Sequence, residues 1–412
     1  MNMKVSLVVF RDPEDVRLNL LPLTYTRPIS EITMGALTIR EKWLRRIDAD
    51  AYCWLTADYL TEKFPSEPIR LSERATCGLC AGATLTVDGN VLPSDNLVAA
   101  ISKAVDSHPG QPLTLAAPGG KVFGTYVPED TDVKDALTAV LDCPLVTIDW
   151  VYDIFLKNFD AIADDFALLT NGRKSAPLDP SCRLVGDPSQ LFIEEGAEVT
   201  GAIINVTSGP VYISSTSTVM EGACMRGPIA MCAHSQVNMG TKVYGGTTLG
   251  VYCKVGGEIN NVVMLGYSNK AHEGFLGNAV IGQWCNLGAG CVASNLKNDY
   301  TEIKLWNYPA HRFLRTGLQF CGLIMGDHSK AGINSMFNTA SVTGVGVNIH
   351  GSGFPRNFVA SFQEGSTAGL TDVPMAKFLD TARRMMARRN VELTEADVRM
   401  FDAIRHIADD YK

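Results

Sequence analysis

The feature that most constrains the fold is a run of apolar residues at steps of six, with small, polar or Gly residues between them. The run consists of Ile213, Val219, Met225, Met231, Val237, Val243, Leu249 and Val255. A six-residue period matches neither the 3.6-residue period of a helix nor a simple strand alternation, and it indicates a parallel β-helix of hexapeptide units. Each unit forms a short strand and a turn, and three units close one triangular coil. The apolar residue of each unit points into the resulting prism, so we expect function to lie where the repeat is broken.

The repeat is interrupted twice. It is regular to Gly256, disturbed to about Leu276, and present again at Ile281 and Leu287. A second break covers 295–319. A weaker six-step series follows at Met325, Ala331, Phe337, Thr343 and Ile349. Both breaks are predicted to be loops that leave the prism.

The remaining sequence predicts three further parts. Residues 1–148 alternate short β-rich and helical stretches, which predicts a compact α/β domain with a mainly parallel sheet. Residues 149–181 are predicted to be an amphipathic helix with Asp149 as N-cap, followed by a Pro-rich linker. The β-helix is assigned to 182–355. Residues 356–412 are predicted to be helical, with helix starts at Pro374 and Thr394.

Composition limits the environment and the partners. The formal net charge is −8 and no long Lys/Arg run is present, which argues against a nucleic-acid binder. No apolar run approaches the ~18 residues of a membrane span, and the N-terminus is predicted to be a first strand rather than a signal peptide. The 11 Cys are scattered, and Cys77 and Cys80 form a CxxC without a second pair. We therefore expect a cytoplasmic protein with reduced thiols.

Residues near the first break carry candidate chemistry. His272 on a loop can accept a proton from an amine that attacks a carbonyl, an effect typically worth ~10²–10⁴-fold in rate. Backbone N–H groups of the Gly288-Ala289-Gly290 turn can hold the developing oxyanion. Asn286 and Asn295 can orient a polar acceptor. A loop His beside an Asn-rich turn is also often only a hydrogen-bonding group.

The segments Asn269–Asn278 and Ile281–Gly290, followed by Ala293-Ser294-Asn295, resemble a known pattern. They are similar to the acetyltransferase half of the bifunctional N-acetylglucosamine-1-phosphate uridylyltransferase/glucosamine-1-phosphate acetyltransferase family. The resemblance implies a left-handed β-helix, a homotrimer with sites between prisms, acetyl-CoA as cosubstrate and an amino-sugar phosphate as acceptor. It also implies site residues: His272 as general base, Asn286 and Asn295 as acceptor ligands, Ala289 beside the acyl group, and Lys270 and Phe275 at the acceptor. Phe275 stands where that family has Tyr.

The N-terminal part carries a second resemblance. Leu21–Pro28 and Gly35–Trp43 are similar to the triphosphate-binding segment of sugar-phosphate nucleotidyltransferases. This implies binding of UTP or another NTP through Thr24, Arg27 and Lys42, with Mg²⁺ as a candidate cofactor whose ligands are unassigned. The Gly-rich loop expected after the first strand is replaced by 11–15, Arg-Asp-Pro-Glu-Asp. With both halves together, the chain resembles enzymes that make UDP-N-acetylglucosamine.

Two alternatives remain open from the sequence. One is a scaffold or regulatory protein with degenerate sites, which the missing Gly-rich loop favours. The other is a metalloenzyme like the γ-type carbonic anhydrases, with ligands drawn from His234, His272, His328 and His350. The cluster of Arg383, Arg384, Arg388 and Arg389 is interpreted either as a solvated helix face or as a phosphate contact.

Overall fold

The computed structural model describes residues 3–71, 82–129 and 131–412, and the chain divides into two compact units. The first comprises 1–17, 27–32 and 37–149, and the second comprises 18–26, 33–36 and 150–412. The Cys77/Cys80 pair lies outside the described residues.

The first 149 residues contain eleven strands and three helices among those the structure describes. The strands are β1 (Lys4–Arg11), β2 (Thr33–Met34), β3 (Leu37–Thr38), β4 (Asp48–Leu55), β5 (Ile69–Arg70), β6 (Thr84–Asp88), β7 (Val91–Leu92), β8 (Leu113–Ala116), β9 (Val122–Val127), β10 (Leu137–Val140) and β11 (Val146–Thr147). The helices are α1 (Glu14–Asn19), α2 (Ile39–Arg46) and α3 (Asp95–Ser107). Thr38 and Glu41 form a capping box on α2, and Ser94 caps α3.

The main sheet of the first unit has the order β10-β8-β9-β6-β1-β4-β5. Pairs β1–β4, β1–β6 and β8–β10 are parallel, whereas β4–β5, β6–β9 and β8–β9 are antiparallel. The prediction of a mainly parallel sheet is therefore wrong, and the sheet is mixed. One cause is the tight turn after Ala117, which joins β8 directly to β9 and leaves no room for a crossover.

The predicted single helix after Asp149 is also wrong, because two helices, α4 (Asp153–Leu156) and α5 (Asn158–Thr170), meet at Lys157. Asp149 does not cap them. Its carboxylate accepts hydrogen bonds from the Thr147 hydroxyl at 2.8 Å and from the Asn90 amide at 2.9 Å. The apolar face of α5 is buried as predicted, and the helix ends before Asn171 and Gly172.

The second unit is dominated by a parallel β-helix. Its strands are β12 (Arg183–Val185), β13 (Leu191–Ile193), β14 (Glu198–Val199), β15 (Ile203–Asn205), β16 (Val211–Ile213), β17 (Thr218–Val219), β18 (Cys224–Arg226), β19 (Ile229–Met231), β20 (Gln236–Val237), β21 (Lys242–Val243), β22 (Thr247–Leu249), β23 (Lys254–Val255), β24 (Glu258–Gly266), β25 (Asn269–Lys270), β26 (Phe275–Gln283), β27 (Asn286–Leu287), β28 (Val292–Ala293), β29 (Lys304–Asn307), β30 (Arg312–Arg315), β31 (Ile324–Met325), β32 (Lys330–Ala331), β33 (Met336–Phe337), β34 (Val342–Thr343), β35 (Asn348–Ile349), β36 (Phe358–Val359), β37 (Gln363–Ser366) and β38 (Gly369–Asp372).

All of these strands except the β29–β30 hairpin stack into three faces. The first face includes β12, β15, β18 and β21, and the second includes β13, β16, β19 and β22; the long strands β24 and β26 run through both. The third face is the ten-stranded sheet β14-β17-β20-β23-β25-β27-β32-β35-β37-β38. The eight apolar residues of the sequence repeat are all buried in one core, which confirms the predicted parallel β-helix.

The predicted loop at 256–276 is wrong, because the coils continue through it. On the third face Val237 pairs with Val255, and Val255 pairs with Lys270, which lies 15 positions later instead of the regular 18. The short coil shifts the six-residue register, so the sequence pattern is lost while the stacking persists. The second break does leave the prism, where β29 and β30 form an antiparallel hairpin.

The C-terminus forms α6 (Met375–Ala387) after Pro374 and α7 (Glu395–Ala408), capped by Thr394 with Asp397, as predicted. The predicted boundary at 355 is wrong, because β36 and β37 pair with β34 and β35 and continue the β-helix beyond it. Phe378 of α6 packs edge-to-face on Phe362 and on Phe401 of α7. Helix α6 is thereby held against the β-helix. None of the helices in the described ranges has the length and apolar character needed to cross a bilayer.

Candidate functional site

His272 lies on a turn between the third and first faces, after β25, and its side chain is exposed. The carbonyl of the preceding residue, Ala271, accepts a hydrogen bond from the Asn238 amide at 2.8 Å. The turn is therefore tied to the coil before it, and an exposed imidazole projects from a fixed backbone.

Lys270 holds this turn from inside the prism. Its side chain is 0% exposed, and its ammonium donates to the carbonyl oxygens of Gly256 and Glu273, each at 3.2 Å, and of His272. Burial lowers the pKa of the Lys270 ammonium. The prediction that Lys270 contacts the acceptor is wrong for this structure, because its charged group is spent on three inward-facing carbonyls. It positions the His272 turn instead.

The Gly288–Gly290 turn stacks directly on the His272 turn in the next coil. The Gly290 N–H donates to the Glu273 carbonyl at 3.0 Å, and the Gly288 N–H donates to the Ala331 carbonyl at 2.9 Å. Of the three predicted oxyanion donors, only the Ala289 N–H has no hydrogen-bond partner in the described part of the chain. Gly274 permits this stacking, since a Cβ there would lie 2.0 Å from the Cys291 carbonyl oxygen.

The other predicted acyl-site residues do not share one face. Asn286 is exposed on the third face, where it pairs in register with Asn269. Asn295 follows β28 of the first face, and its amide donates to the Asn278 side chain at 2.7 Å. Phe275 begins β26, also on the first face, and is half-buried. One chain therefore places Asn286 on a different face from Asn295 and Phe275.

A cavity of about 510 Å³ covers the third face beneath α6. Asn286 and Ala271 line it, as do basic side chains from both the β-helix and α6. The sequence drew attention to the arginines of α6. The position of Lys254 and Lys330 opposite these arginines depends on how α6 docks on the β-helix, and the sequence does not predict that docking.

The histidines proposed as metal ligands are separated. His234 and His328 are the ends of a stacked row at the edge between the second and third faces, His234–Tyr252–Tyr267–Trp284–His328, with centroid distances of 4.1–6.0 Å. His272 lies at the edge between the third and first faces. Among the residues with described positions, no group of three His, Cys, Asp or Glu side chains is placed to hold a metal ion.

The three predicted nucleotide ligands are buried. Thr24 is 0% exposed and belongs to the second unit, whereas Arg27 and Lys42 belong to the first unit and are 4% and 1% exposed. Lys42 lies on α2 beside Trp43, which is also buried. The prediction that these side chains bind a triphosphate is therefore wrong for this structure.

Carboxylates occupy the edge of the sheet where a phosphate cradle was expected. Asp12 follows β1 and accepts hydrogen bonds from the Ile29 N–H at 3.0 Å and the Thr56 hydroxyl at 2.6 Å. Asp88 ends β6 and pairs with Arg11 at 2.6 Å. Burial raises the pKa of Asp12 to about 6 and also raises the pKa of Asp88. This edge offers bonded carboxylates instead of the backbone N–H groups that phosphates need.

Asp12 should make stability depend on pH in mild acid. Because its pKa is about 6 in the folded chain and 3.8 in the reference state, its stabilising contribution is present below pH 3.8 and lost as pH rises through 6. Between pH 7.5 and 4.5 we expect the wild type to gain about 1–2 kcal/mol relative to Asp12→Asn. Urea denaturation of both proteins at the two pH values measures this, and an identical pH dependence would contradict it.

Residues 7–174 match the family described as Sugar nucleotidyl transferase. Two curated relatives, the Bifunctional protein GlmU of Synechococcus elongatus and that of Synechococcus sp., are each 23% identical over 209 residues. Each match covers 46% of this chain, and the chain spans only 42% of each relative's length.

Solved structures overlap part of the chain. The N-acyltransferase AntD from Bacillus cereus, in complex with dTDP and 3-hydroxybutyryl-CoA, matches 50% of this chain and 91% of its own at 13% identity and a TM-score of 0.21. The polysialic acid O-acetyltransferase OatWY matches 47% and 87% at 12% identity and a TM-score of 0.20. The family and relative matches confirm the predicted resemblance to the bifunctional transferases.

Proposed function

We propose that the chain transfers an acetyl group from acetyl-CoA to the amine of glucosamine-1-phosphate or a related amino-sugar phosphate. One arrangement carries the proposal: an exposed His272 on a turn anchored by the buried Lys270, stacked against a turn whose Ala289 N–H is unbonded in the described structure. It pairs a proton acceptor with a fixed N–H donor.

In the proposed reaction, the amine nitrogen attacks the thioester carbon while the His272 imidazole accepts a proton from that nitrogen. The Ala289 N–H donates a hydrogen bond to the oxyanion of the tetrahedral intermediate. When the intermediate collapses, the C–S bond breaks, CoA leaves as the thiolate and takes up a proton, and the amide remains on the sugar. Asn286 on the adjoining face contacts the acceptor.

We also propose that the active assembly is a homotrimer. Asn295 and Phe275 lie on the first face and Asn286 lies on the third, an arrangement that supports a site completed by a second copy. Exposed apolar residues support a contact here: Met239 and Ile333, at the same edge of the prism as His272, are 69% and 71% exposed. Repeating this contact head-to-tail around a threefold axis closes a ring.

For the first unit we propose a nucleotidyltransferase-like fold without the usual triphosphate site. Arg27 and Lys42 are buried, and Asp12 would repel a phosphate. The carboxylates of Asp12 and Asp88 already accept hydrogen bonds from Thr56, Ile29 and Arg11, so they do not fit a Mg²⁺ site. The proposed function therefore includes no turnover of UTP and no Mg²⁺-dependent step.

The acetyl-transfer proposal is tested by measuring CoA release from acetyl-CoA with a thiol reagent. Release should require glucosamine-1-phosphate or another amino-sugar phosphate, and mass spectrometry should find the N-acetylated product. N-acetylglucosamine-1-phosphate, whose amine is already blocked, is the matched control and should give none. The absence of release with every amino-sugar phosphate would favour the scaffold alternative.

A further inference from the structure

The cavity under α6 is strongly basic. Five cationic side chains line it: Lys254 and Lys330 from the third face, Arg384 from α6, and Arg388 and Arg389 from the turn that ends α6. No Asp or Glu is among its lining residues in the described chain. We call this cavity, with its five cations, the basic pocket.

The floor of the basic pocket is a row of polar side chains set by strand register. Lys254 pairs with Asn269, Asn269 with Asn286, and Asn286 with Lys330. At about 4.8 Å per strand, the row places the two lysines about 14 Å apart, with two amides between them. The two lysines therefore stand at opposite ends of a polar floor.

The wall of the basic pocket is one side of α6. Arg384 and Met385 lie in the last turn of α6, Arg388 is its C-cap residue, and Arg389 lies in the turn just beyond it. An adjoining stripe of the helix buries Phe378, Ala382 and Met386. Docking through those apolar residues turns the arginines toward the lysines.

Like charges in the pocket are only partly compensated. The Arg384 guanidinium pairs with Asp380 one turn earlier, the Lys330 ammonium donates to the His328 carbonyl at 2.9 Å, and the Arg389 guanidinium lies 5.8 Å from the centroid of the Tyr252 ring. Burial, followed by the charges of Arg389 and Arg388, lowers the pKa of Lys254. An anion with several charges would relieve this repulsion, and arginines bind phosphate oxygens in pairs.

We propose that the basic pocket binds the diphosphate group of a small diphosphate ester. The cation count favours two linked phosphates over one, and the two amides can bind the hydroxyl or carbonyl groups of the rest of the ligand. The pocket shares Asn286 with the proposed acetyl-transfer site, but binding there requires no acyl transfer and does not depend on His272.

Isothermal titration calorimetry with inorganic pyrophosphate tests the proposal. We expect binding to the wild type at least tenfold tighter than that of inorganic phosphate, and weaker as salt is raised. The double variant Arg388→Gln/Arg389→Gln should weaken pyrophosphate binding at least tenfold. The matched control is Arg383→Gln, an exposed arginine of the same helix that does not line the pocket, and it should change affinity less than twofold.

Competition then identifies the source of the diphosphate. CoA and UDP are each titrated against bound pyrophosphate, and we expect one of them to displace it. The proposal is overturned if pyrophosphate does not bind, if phosphate binds equally well, if Arg383→Gln weakens binding as much as the double variant does, or if neither ester competes. His272→Ala should retain pyrophosphate binding even though it loses CoA release, so failure of the pocket and failure of the acetyl-transfer proposal give different results.

Discussion

Replacing His272 with alanine should lower kcat for CoA release by about 10²- to 10⁴-fold, the usual contribution of a general base. The side chain is exposed, and the turn is held by Lys270 and Asn238 through backbone carbonyls, so the variant should fold normally. The measurement is CoA release at saturating acetyl-CoA and amino-sugar phosphate, with the circular dichroism spectrum and Tm of both proteins.

The matched control is His350→Ala. His350 is an exposed histidine at the end of β35, at the same edge of the prism as His272, and it has no proposed role in the reaction. It should keep the wild-type kcat within about twofold. A His272→Ala protein with more than half of the wild-type rate would exclude His272 as the base.

Replacing Lys270 with methionine should cost both stability and activity. Methionine fills a similar volume but donates no hydrogen bond, so the carbonyls of Gly256, His272 and Glu273 lose their buried donor. Each unsatisfied buried polar group costs about 1–3 kcal/mol, and three carbonyls lose their donor. The methionine side chain recovers part of this total by packing in the apolar prism. We therefore expect the free energy of unfolding to fall by about 2–4 kcal/mol. Urea denaturation followed by circular dichroism measures the loss, and kcat should fall because the His272 turn is released.

Lys242→Met provides the comparison for this variant. Lys242 begins β21, is exposed, and pairs in register with Cys224 and Glu258 on the first face. Its replacement should change the free energy of unfolding by less than about 0.5 kcal/mol. If the two lysine variants unfold at the same urea concentration, the buried ammonium does not anchor the turn.

Several features followed from short stretches of sequence. The six-residue repeat identified the buried residues from Ile213 to Val255, and the Thr394 and Asp397 spacing identified the start of α7. The His272 turn and the Gly288–Gly290 turn were located by motif, and the fold places them in adjacent coils. Each of these depends on residues close in sequence or on a regular period.

Other features could not be obtained this way. The coil containing Lys270 is three residues shorter than the regular coils, so the six-residue period predicted a loop there. Nothing in the sequence marks Lys270 as a lysine buried inside the prism. A motif assigned Arg27 and Lys42 to nucleotide binding, but both side chains are buried. Asn286 and Asn295 are close in sequence, yet they occupy different faces.

By itself, the sequence determined that the chain contains a β-helix, where its regular coils run, and which two turns carry the candidate base and oxyanion donor. Only the tertiary structure decided that Lys270 supports a turn instead of a ligand and that Asn286 and Asn295 of the proposed acetyl-transfer site lie on different faces. It also brought the α6 arginines over Lys254 and Lys330 to form the basic pocket. The physical reason is that a repeat or a cap arises from local backbone geometry, whereas burial and the pairing of distant charges depend on coil length and helix docking.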